Sequence, residues 1–539
     1  MQTSKKLNTQ IMKKNSEYYI KVIQGTTLAL LFVFICATTF AQKRALESIT
    51  ENELKAHLEF IASDLMQGRD FGTTIPGLQI TAGYLKSQSL KMGLKPGISG
   101  YAQTVNMISV QNDNENTSFL LKNEKGEELF ASKDILTFPG SVQNDTINAK
   151  IVFAGYGFQN EKIGYNDLEG IDLKDKLVMI MTRNREMVMG TGQTADNTNM
   201  EMIKLGRIFM AGAKGIIFVP DPLNYENKWF EMVREFAASG NYFLEGENSK
   251  ELPVNIILAN EAIADAVLRE TGKSLLEIQK GINETGKPQS FELMNVTAEI
   301  QIVKKTEKIS GENIIAVVEG SDPVLKNECV VLTAHYDHVG INSYGEISNG
   351  ADDNGSGTVA LLEIAEAFTK LKKKPGRSVV FAWVTAEEKG LLGSEFYTLN
   401  PVFPLEKTVA NINLDMVGRV ADKEPEKTDN FEKNLAGRNG VYIITGRENS
   451  GLTNIIQKAS ERLQLVPDNM LSEVFLNGSD HFNFHKKGVP VIGISTGLHE
   501  DYHTPADDFD KIDYPKMKRV AGLAFLVAYE IANRKKGLQ

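Results

Sequence analysis

Cysteine is almost missing from this 539-residue chain: only Cys36 and Cys329 occur. Cys36 falls in a segment that reads as a removable leader, so no internal disulfide is expected and stability must come from an apolar core and from bound metal. Histidine is scarce as well, with seven in all, so every imidazole is worth placing. A basic surplus is also lacking. The net charge is -10, and the first 41 residues hold Lys5, Lys6, Lys13, Lys14 and Lys21 against Glu17, which leaves the remainder still more acidic. An acidic body without a basic stripe argues against nucleic acid or an anionic membrane surface as partner.

What is present is length and a patterned hydrophobic content of 42%, enough for two or three domains with their own cores. The apolar run from Thr26 to Ala37 follows a lysine-rich stretch and ends in Thr39-Phe40-Ala41 before Gln42. It is short for a membrane span and has the grammar of a signal peptide over 1–41, which predicts an exported, periplasmic or secreted protein; left uncleaved, the same segment would be a membrane anchor.

Three stretches follow. From Leu54 to Leu94 the pattern is helical, with Leu54, His57, Leu58 and Ile61 on one face, then Ile80, Tyr84, Leu85 and Leu90, closed by Gly93 and Pro96. His57, at helical spacing among apolar residues, reads as a packing residue. From about 145 to 295 short β-type runs appear, 151–154, 177–181 and 216–219, with a helix-like stretch over 200–210 and no cluster of titratable residues. From about 310 onward strands and helices alternate: strands over 330–333, 378–384, 409–414 and 489–494, helices over 358–371 and 391–397. That alternation predicts an α/β fold, a mixed and mainly parallel sheet flanked by helices. The domain layout read from these textures is 1–41 leader, 42–140 first part of the main domain, 141–298 inserted domain and 299–539 main domain.

Chemistry-bearing residues share one address in this last stretch. His335 follows the first of its strands, Glu387 and Glu388 the second, Asp415 the third, and His503 lies beyond the last, while Asp353 stands just before a helix. Open α/β sheets bind ligands outside the carboxyl ends of their strands. Two imidazoles and three carboxylates, His335, Asp353, Glu388, Asp415 and His503, can hold two divalent cations, and Glu387 is left over as a base for water. Asp337, in His335-Tyr336-Asp337, is expected to orient His335 through a hydrogen bond. The run Gly350-Ala351-Asp352-Asp353-Asn354-Gly355-Ser356-Gly357 lacks the Gly-Lys-Ser/Thr ending of a phosphate loop. Its glycines instead permit the tight backbone through which one aspartate could reach two metals.

Two other motifs compete. His499-Glu500-Asp501-Tyr502-His503 fits the H-E-x-x-H zinc pattern, but that pattern needs a helix, and Gly497, Pro505 and the absence of a flanking apolar stripe oppose one. On this reading neither His499 nor Glu500 touches the ions, and their substitution should be mild. Gly493-Ile494-Ser495-Thr496-Gly497 fits G-x-S-x-G after a strand, yet no histidine lies beyond residue 503 to close a triad in that order.

Taken together, AHYDH at 334–338, GADDNGSG at 350–357, TAEEKGLLGS at 385–394, NLDMVG at 413–418, SDHFNF at 479–484 and YHTPAD at 502–507 resemble the co-catalytic di-zinc aminopeptidase family, which includes glutamate-carboxypeptidase-like peptidases. HLEFIASDLMQGR at 57–69 is similar to that family's leading helix. The middle stretch, with Gly155-Tyr156-Gly157 and Ala211-Gly212-Ala213-Lys214-Gly215, resembles a small, β-rich protease-associated domain. The resemblance implies two zinc ions, with manganese or cobalt as substitutes, Asp353 bridging them, His335 and Asp415 completing one site, and Glu388 and His503 the other. It implies Glu387 as general base, Tyr502 polarising the scissile carbonyl, and peptides as substrates. Three further readings are a dipeptidase of the glutamate-carboxypeptidase kind, a single-zinc aminoacyl cyclase, and a silent receptor-like module. Where members with a similar tail often carry Arg before Ser-Asp-His, this chain has Gly478.

Overall fold

The computed structural model describes residues 42–137, 144–183, 197–223, 233–234, 237, 240–246, 255–342, 344–421, 434–446, 450–535 and 538. The segment 1–41 read as a leader, with Cys36, lies outside them. The chain divides into two compact units: one made of 1–105 with 311–539, the other of 106–310.

The strands of the first unit that position the site are β1 (Lys304–Val318, of which the part from 311 belongs here), β2 (Cys329–His335), β3 (Ser378–Val384), β4 (Thr408–Leu414), β5 (Gly440–Ile444), β6 (Val466–Asp468) and β7 (Val491–Ser495). They lie in the order β1-β3-β2-β4-β7-β5-β6. β3, β2, β4 and β7 are mutually parallel, β1 runs against β3, and β5 runs against β7 but parallel to β6. The sheet is therefore mixed and mainly parallel, as the alternation of strands and helices predicts.

β3 shows why the strand forms and why it sits in the middle. Val379, Phe381 and Trp383 join one apolar cluster and Val380, Ala382 and Val384 another, so successive side chains feed two cores on opposite faces. The first core is covered by α1 (Glu51–Ile61), α2 (Gly77–Lys91), α3 (Gly357–Thr369) and the helix Tyr514–Asn533 through Leu58, Leu85, Phe368 and Phe525. Tyr397 and Phe484, from the helices Leu392–Leu399 and His481–Lys486, cover the second. α2 buries Leu78, Ala82 and Leu85 and leaves Ile80 and Leu90 exposed, a face turned from the one expected around Ile80 and Leu90. His57 is a packing residue: its Nδ1 lies 2.5 Å from the Tyr84 hydroxyl and its Nε2 3.5 Å from buried Glu363.

The second unit has its own eight-stranded sheet, in which Asp145–Ala154, Leu177–Met181, Gly215–Val219 and Asn255–Ala259 form a parallel centre. It starts at 106, earlier than the 141 read from sequence texture, because Ser118–Asn123 pairs with Ser290–Ile302 and Ile135–Thr137 with Asn255–Ala259. The titratable residues thought absent from its runs are present as buried structural pairs. Lys204 meets Glu201 at 2.6 Å and donates to the Met181 and Arg183 carbonyls, while Arg183 holds Asp221.

Candidate metal centre

The carboxyl ends of β2, β3 and β4 carry His335, the Glu387-Glu388 pair and Asp415 within or directly beyond them, and Asp353 lies in the short helical segment Ala351–Ser356 that leads into α3. Ala386 and Met416 hold left-handed backbone at φ of 55° and 54° beside Glu387-Glu388 and Asp415, and His503 itself at 56°. Such conformations cost energy in residues other than glycine and persist where the surroundings impose them.

Asp353 divides its carboxylate between two groups. Oδ1 lies 3.5 Å from His335 Nε2, which is 3.4 Å from Asp415 Oδ1. Oδ2 lies 3.0 Å from His503 Nε2, which is 3.1 Å from Glu388 Oε2. Ligand atoms held about 2.0–2.1 Å from a tetrahedral zinc stand about 3.3 Å apart, so each trio is spaced to share one cation. The fit has a second sign. His335 Nε2, Asp353 Oδ2 and Asp415 Oδ1 are buried and make no hydrogen bond among the described residues, which is costly for polar atoms unless something else satisfies them.

Electrostatics points the same way. Burial opposes charge on His335, yet Glu387, Asp415 and Asp353 hold its imidazole well above the usual range. His503 is likewise pushed up to about 10 against the effect of burial, by Glu388 and Asp353. Glu387 is held well above an ordinary carboxylate by burial and by the neighbouring acids, while Glu388 is drawn well below it, against burial, by His503 and His338. The cleft holds an excess of negative charge that positive ions would neutralise.

His338 belongs to this group although the sequence reading assigned it no role. Its Nδ1 lies 3.0 Å from Glu388 Oε1 and 3.7 Å from Asp353 Oδ2, so His338, Asp353, Glu388 and His503 form one cluster of donor atoms. The signal was there in AHYDH, a second imidazole three residues after the first.

Asp337 departs from expectation. Its carboxylate stands 3.9 Å from His335 Nδ1, beyond hydrogen-bond range, and the main-chain carbonyl of Asp337 faces that nitrogen at 3.3 Å instead. The carboxylate oxygens accept the main-chain N–H groups of Glu387 at 3.1 Å and Glu388 at 3.2 Å. Burial pushes this carboxyl up to about 6.

The Asp353 loop is fixed from three sides. Asp507 accepts the N–H groups of Asp352 and Asp353, each at 3.0 Å. Asn354 donates to the Leu414 carbonyl at 2.8 Å and accepts from Gly357 N–H at 2.9 Å. A Cβ at Gly357 would come within 2.2 Å of the Asn354 Oδ1, which is why this position has no side chain. Arg69, wholly buried, donates to the carbonyls of Tyr336, Ile61, Asn349 and Gly350.

Residues 500–503 form turns, and Glu500 is exposed, so the helix required by H-E-x-x-H is not there. His499 is nevertheless no bystander: it is buried with its Nε2 3.3 Å from Asp352 Oδ2, which makes a mild effect of its removal the wrong expectation. Tyr502 stacks on His503 with ring centroids 3.8 Å apart. Partial burial and the carboxylates of Asp353 and Glu388 push its phenol upward, so it remains a proton-bearing donor. Ser479, Gly478 and Tyr502 line a cavity of about 320 Å³ that also reaches Glu387 and Asp415. Asp480, buried beside this group, is pushed up to about 7 by burial.

Comparison with known proteins adds the lineage. Residues 313–528 match the model of peptidase family M28. Aminopeptidase YwaD of Bacillus subtilis is 30% identical over 236 residues, 42% of this chain and 46% of that protein. Leucine aminopeptidase 2 of Arthroderma otae is 31% identical over 204 residues, 38% of this chain and 37% of that protein. The chain thus spans less than half the length of these relatives. Among solved structures, an aminopeptidase from Aneurinibacillus sp. strain AM-1 superposes with a TM-score of 0.53 at 19% identity, over 92% of this chain and 97% of that one, a likeness of fold.

Proposed function

We propose, on the match of residues 313–528 to the model of peptidase family M28, that the chain is an exported two-metal aminopeptidase releasing N-terminal residues from peptides. The observation that carries this reading is the divided Asp353 carboxylate, one oxygen toward His335 and Asp415 and the other toward Glu388 and His503. Those residues would hold the ions, with His338 close enough to add a donor to the second site. Mixed nitrogen and oxygen donors suit zinc, and manganese or cobalt could fill the same set. When bound, two divalent cations supply Lewis acidity and a lowered pKa for water.

The side chains supply the rest. Glu387 removes a proton from the attacking water as its oxygen bonds to the peptide carbonyl carbon, and returns that proton to the amine as the C–N bond breaks. The Tyr502 hydroxyl donates to the carbonyl oxygen, on which negative charge gathers. Nearby carboxylates receive a free α-amino group, which favours unblocked substrates. The unit over 106–310 has no metal-type cluster among its described residues, and we read it as a protease-associated-like domain that tunes substrate choice.

Metal analysis of the purified chain, run beside assays on aminoacyl amides, N-blocked peptides and C-terminal acidic dipeptides, tests the reading. Two ions per chain and cleavage confined to free N-termini are expected. A single ion with cyclising activity, or turnover of blocked peptides or acidic dipeptides only, would sink it.

A further inference from the structure

The cavity beside Glu387 has apolar side chains in its wall, Met416, Ile444, Val474, Phe475 and Leu498 among them, and, apart from the unbonded Asp353 and Asp415 oxygens of the metal group, one further buried polar atom with nothing to bond among the described residues. His481 lines it, is 2% exposed, and its Nδ1 has no hydrogen-bond partner among the described residues. The tautomer follows from the other nitrogen. Nε2 lies 3.2 Å from the Phe475 carbonyl oxygen, which can only accept, so Nε2 carries the hydrogen and Nδ1 of the neutral ring is a bare acceptor. Burial pushes this imidazole down to about 4, which keeps it neutral at pH 7.

Gly493 on β7 keeps that edge of the ring open. A Cβ there would stand 3.3 Å from both Nδ1 and Cε1 of His481 and 3.1 Å from the Ile444 Cβ, closing the space in front of the acceptor. The same cavity reaches Glu387, so a peptide whose scissile carbonyl sits at Glu387 would direct its first side chain into it. An aliphatic side chain or phenylalanine would cover Nδ1 without offering it a donor. An aromatic body ending in a hydroxyl would satisfy it.

We infer that this cavity selects an N-terminal residue with an apolar body and a terminal hydrogen-bond donor, tyrosine over phenylalanine, through the Nδ1 of His481. This rests on the aminopeptidase reading above, of which it names the substrate class. A buried acceptor that is filled by one substrate and left empty by another discriminates between them by about tenfold.

The test compares kcat/KM for the p-nitroanilides of L-tyrosine and L-phenylalanine. The wild type should favour tyrosine about tenfold. His481→Phe should bring the ratio to about one, His481→Gln, which restores an acceptor, should recover part of the preference, and Gly493→Ala should lower the ratio without altering His481. Should His481→Phe fail to fold, Gly493→Ala carries the comparison. A wild-type ratio of one, or equal losses on both substrates in the variants, would overturn the inference. Calorimetric binding of free L-tyrosine and L-phenylalanine to the metal-loaded protein separates the two levels. Tyrosine bound more tightly by way of His481 with no amide hydrolysed would overturn the aminopeptidase reading and keep the acceptor site. Hydrolysis without a tyrosine preference would do the reverse.

Discussion

Asp337 holds Glu387 by the backbone: one oxygen of its buried carboxylate accepts the Glu387 N–H at 3.1 Å while the other takes that of Glu388 at 3.2 Å. The proposed base and an adjacent proposed ligand are thereby aimed from the loop that follows His335, and the aim does not depend on either glutamate side chain. Removing a carboxylate therefore removes chemistry at 387 without removing the loop's geometry.

Glu387→Ala should lower turnover by roughly two to four orders of magnitude while metal content stays at two per chain. Steady-state kinetics paired with metal analysis checks this. Loss of both ions together with activity would make Glu387 a ligand.

Asp353→Ala should abolish tight binding of both ions along with activity, since each group of donors loses its shared oxygen. His499→Ala should instead leave the metal content unchanged and lower the melting temperature, because the Asp352 carboxylate beside it is buried. Thermal denaturation with and without added zinc distinguishes the two; loss of metal in His499→Ala alone would reverse the assignment.

Arg69→Lys should be destabilising although it keeps the charge. A guanidinium serves four carbonyls in a fixed fork, and an ammonium reaches fewer of them. Each buried carbonyl left unpaired costs about 1–3 kcal/mol. Denaturant titration should show a lower midpoint; an unchanged one would mean that the loop is held by Asp507 and Asn354 alone.

In the second unit, burial pushes Asp167 up from 3.8 to about 6, against the hydrogen bonds of Tyr165, Phe158 and Tyr156. Between those two values the folded state binds more protons than the unfolded one, so this group's contribution to stability is present below about pH 4 and declines as pH rises through 6. A shift of this size corresponds to a decline of order 3 kcal/mol. Relative to Asp167→Asn, the wild type should lose melting temperature between pH 4 and pH 6.5 and change little above. A constant gap between the two proteins would show that Asp167 is ionised throughout.

Sequencing of the exported form should begin at or near Gln42. A chain still beginning at Met1 or Met12 would make the leader an anchor and the protein membrane-tethered.

The strand-end addresses of His335, Glu387, Glu388 and Asp415 could be read from sequence because a run such as 379–384 is apolar at every position, and such a run is a central strand with a loop beyond it. Relations across loops could not. Whether the Asp337 carboxylate meets an imidazole or two peptide N–H groups depends on where the next strand ends, and His-x-Asp spacing is the same in both cases. The partners of His338 and His499 escape the sequence for a similar reason, since their neighbours Glu388 and Asp352 are 50 and 147 residues away. The exposed Ile80 and Leu90 on α2 show the limit of helical periodicity, which the small residues Ala82 and Thr81 settled in favour of the opposite face.

Arg69 bonds the Gly350 carbonyl across 281 residues of chain, and Asp507 reaches Asp352 across another 155. A ribosome making this polypeptide has delivered nearly everything before His503 and Asp507 appear, so the donor atoms have no common location during most of synthesis. On the two-metal reading proposed above, capture of both ions would wait until residue 503 has been made, and a nascent chain truncated before it would lack the histidine and aspartate that complete the donor group.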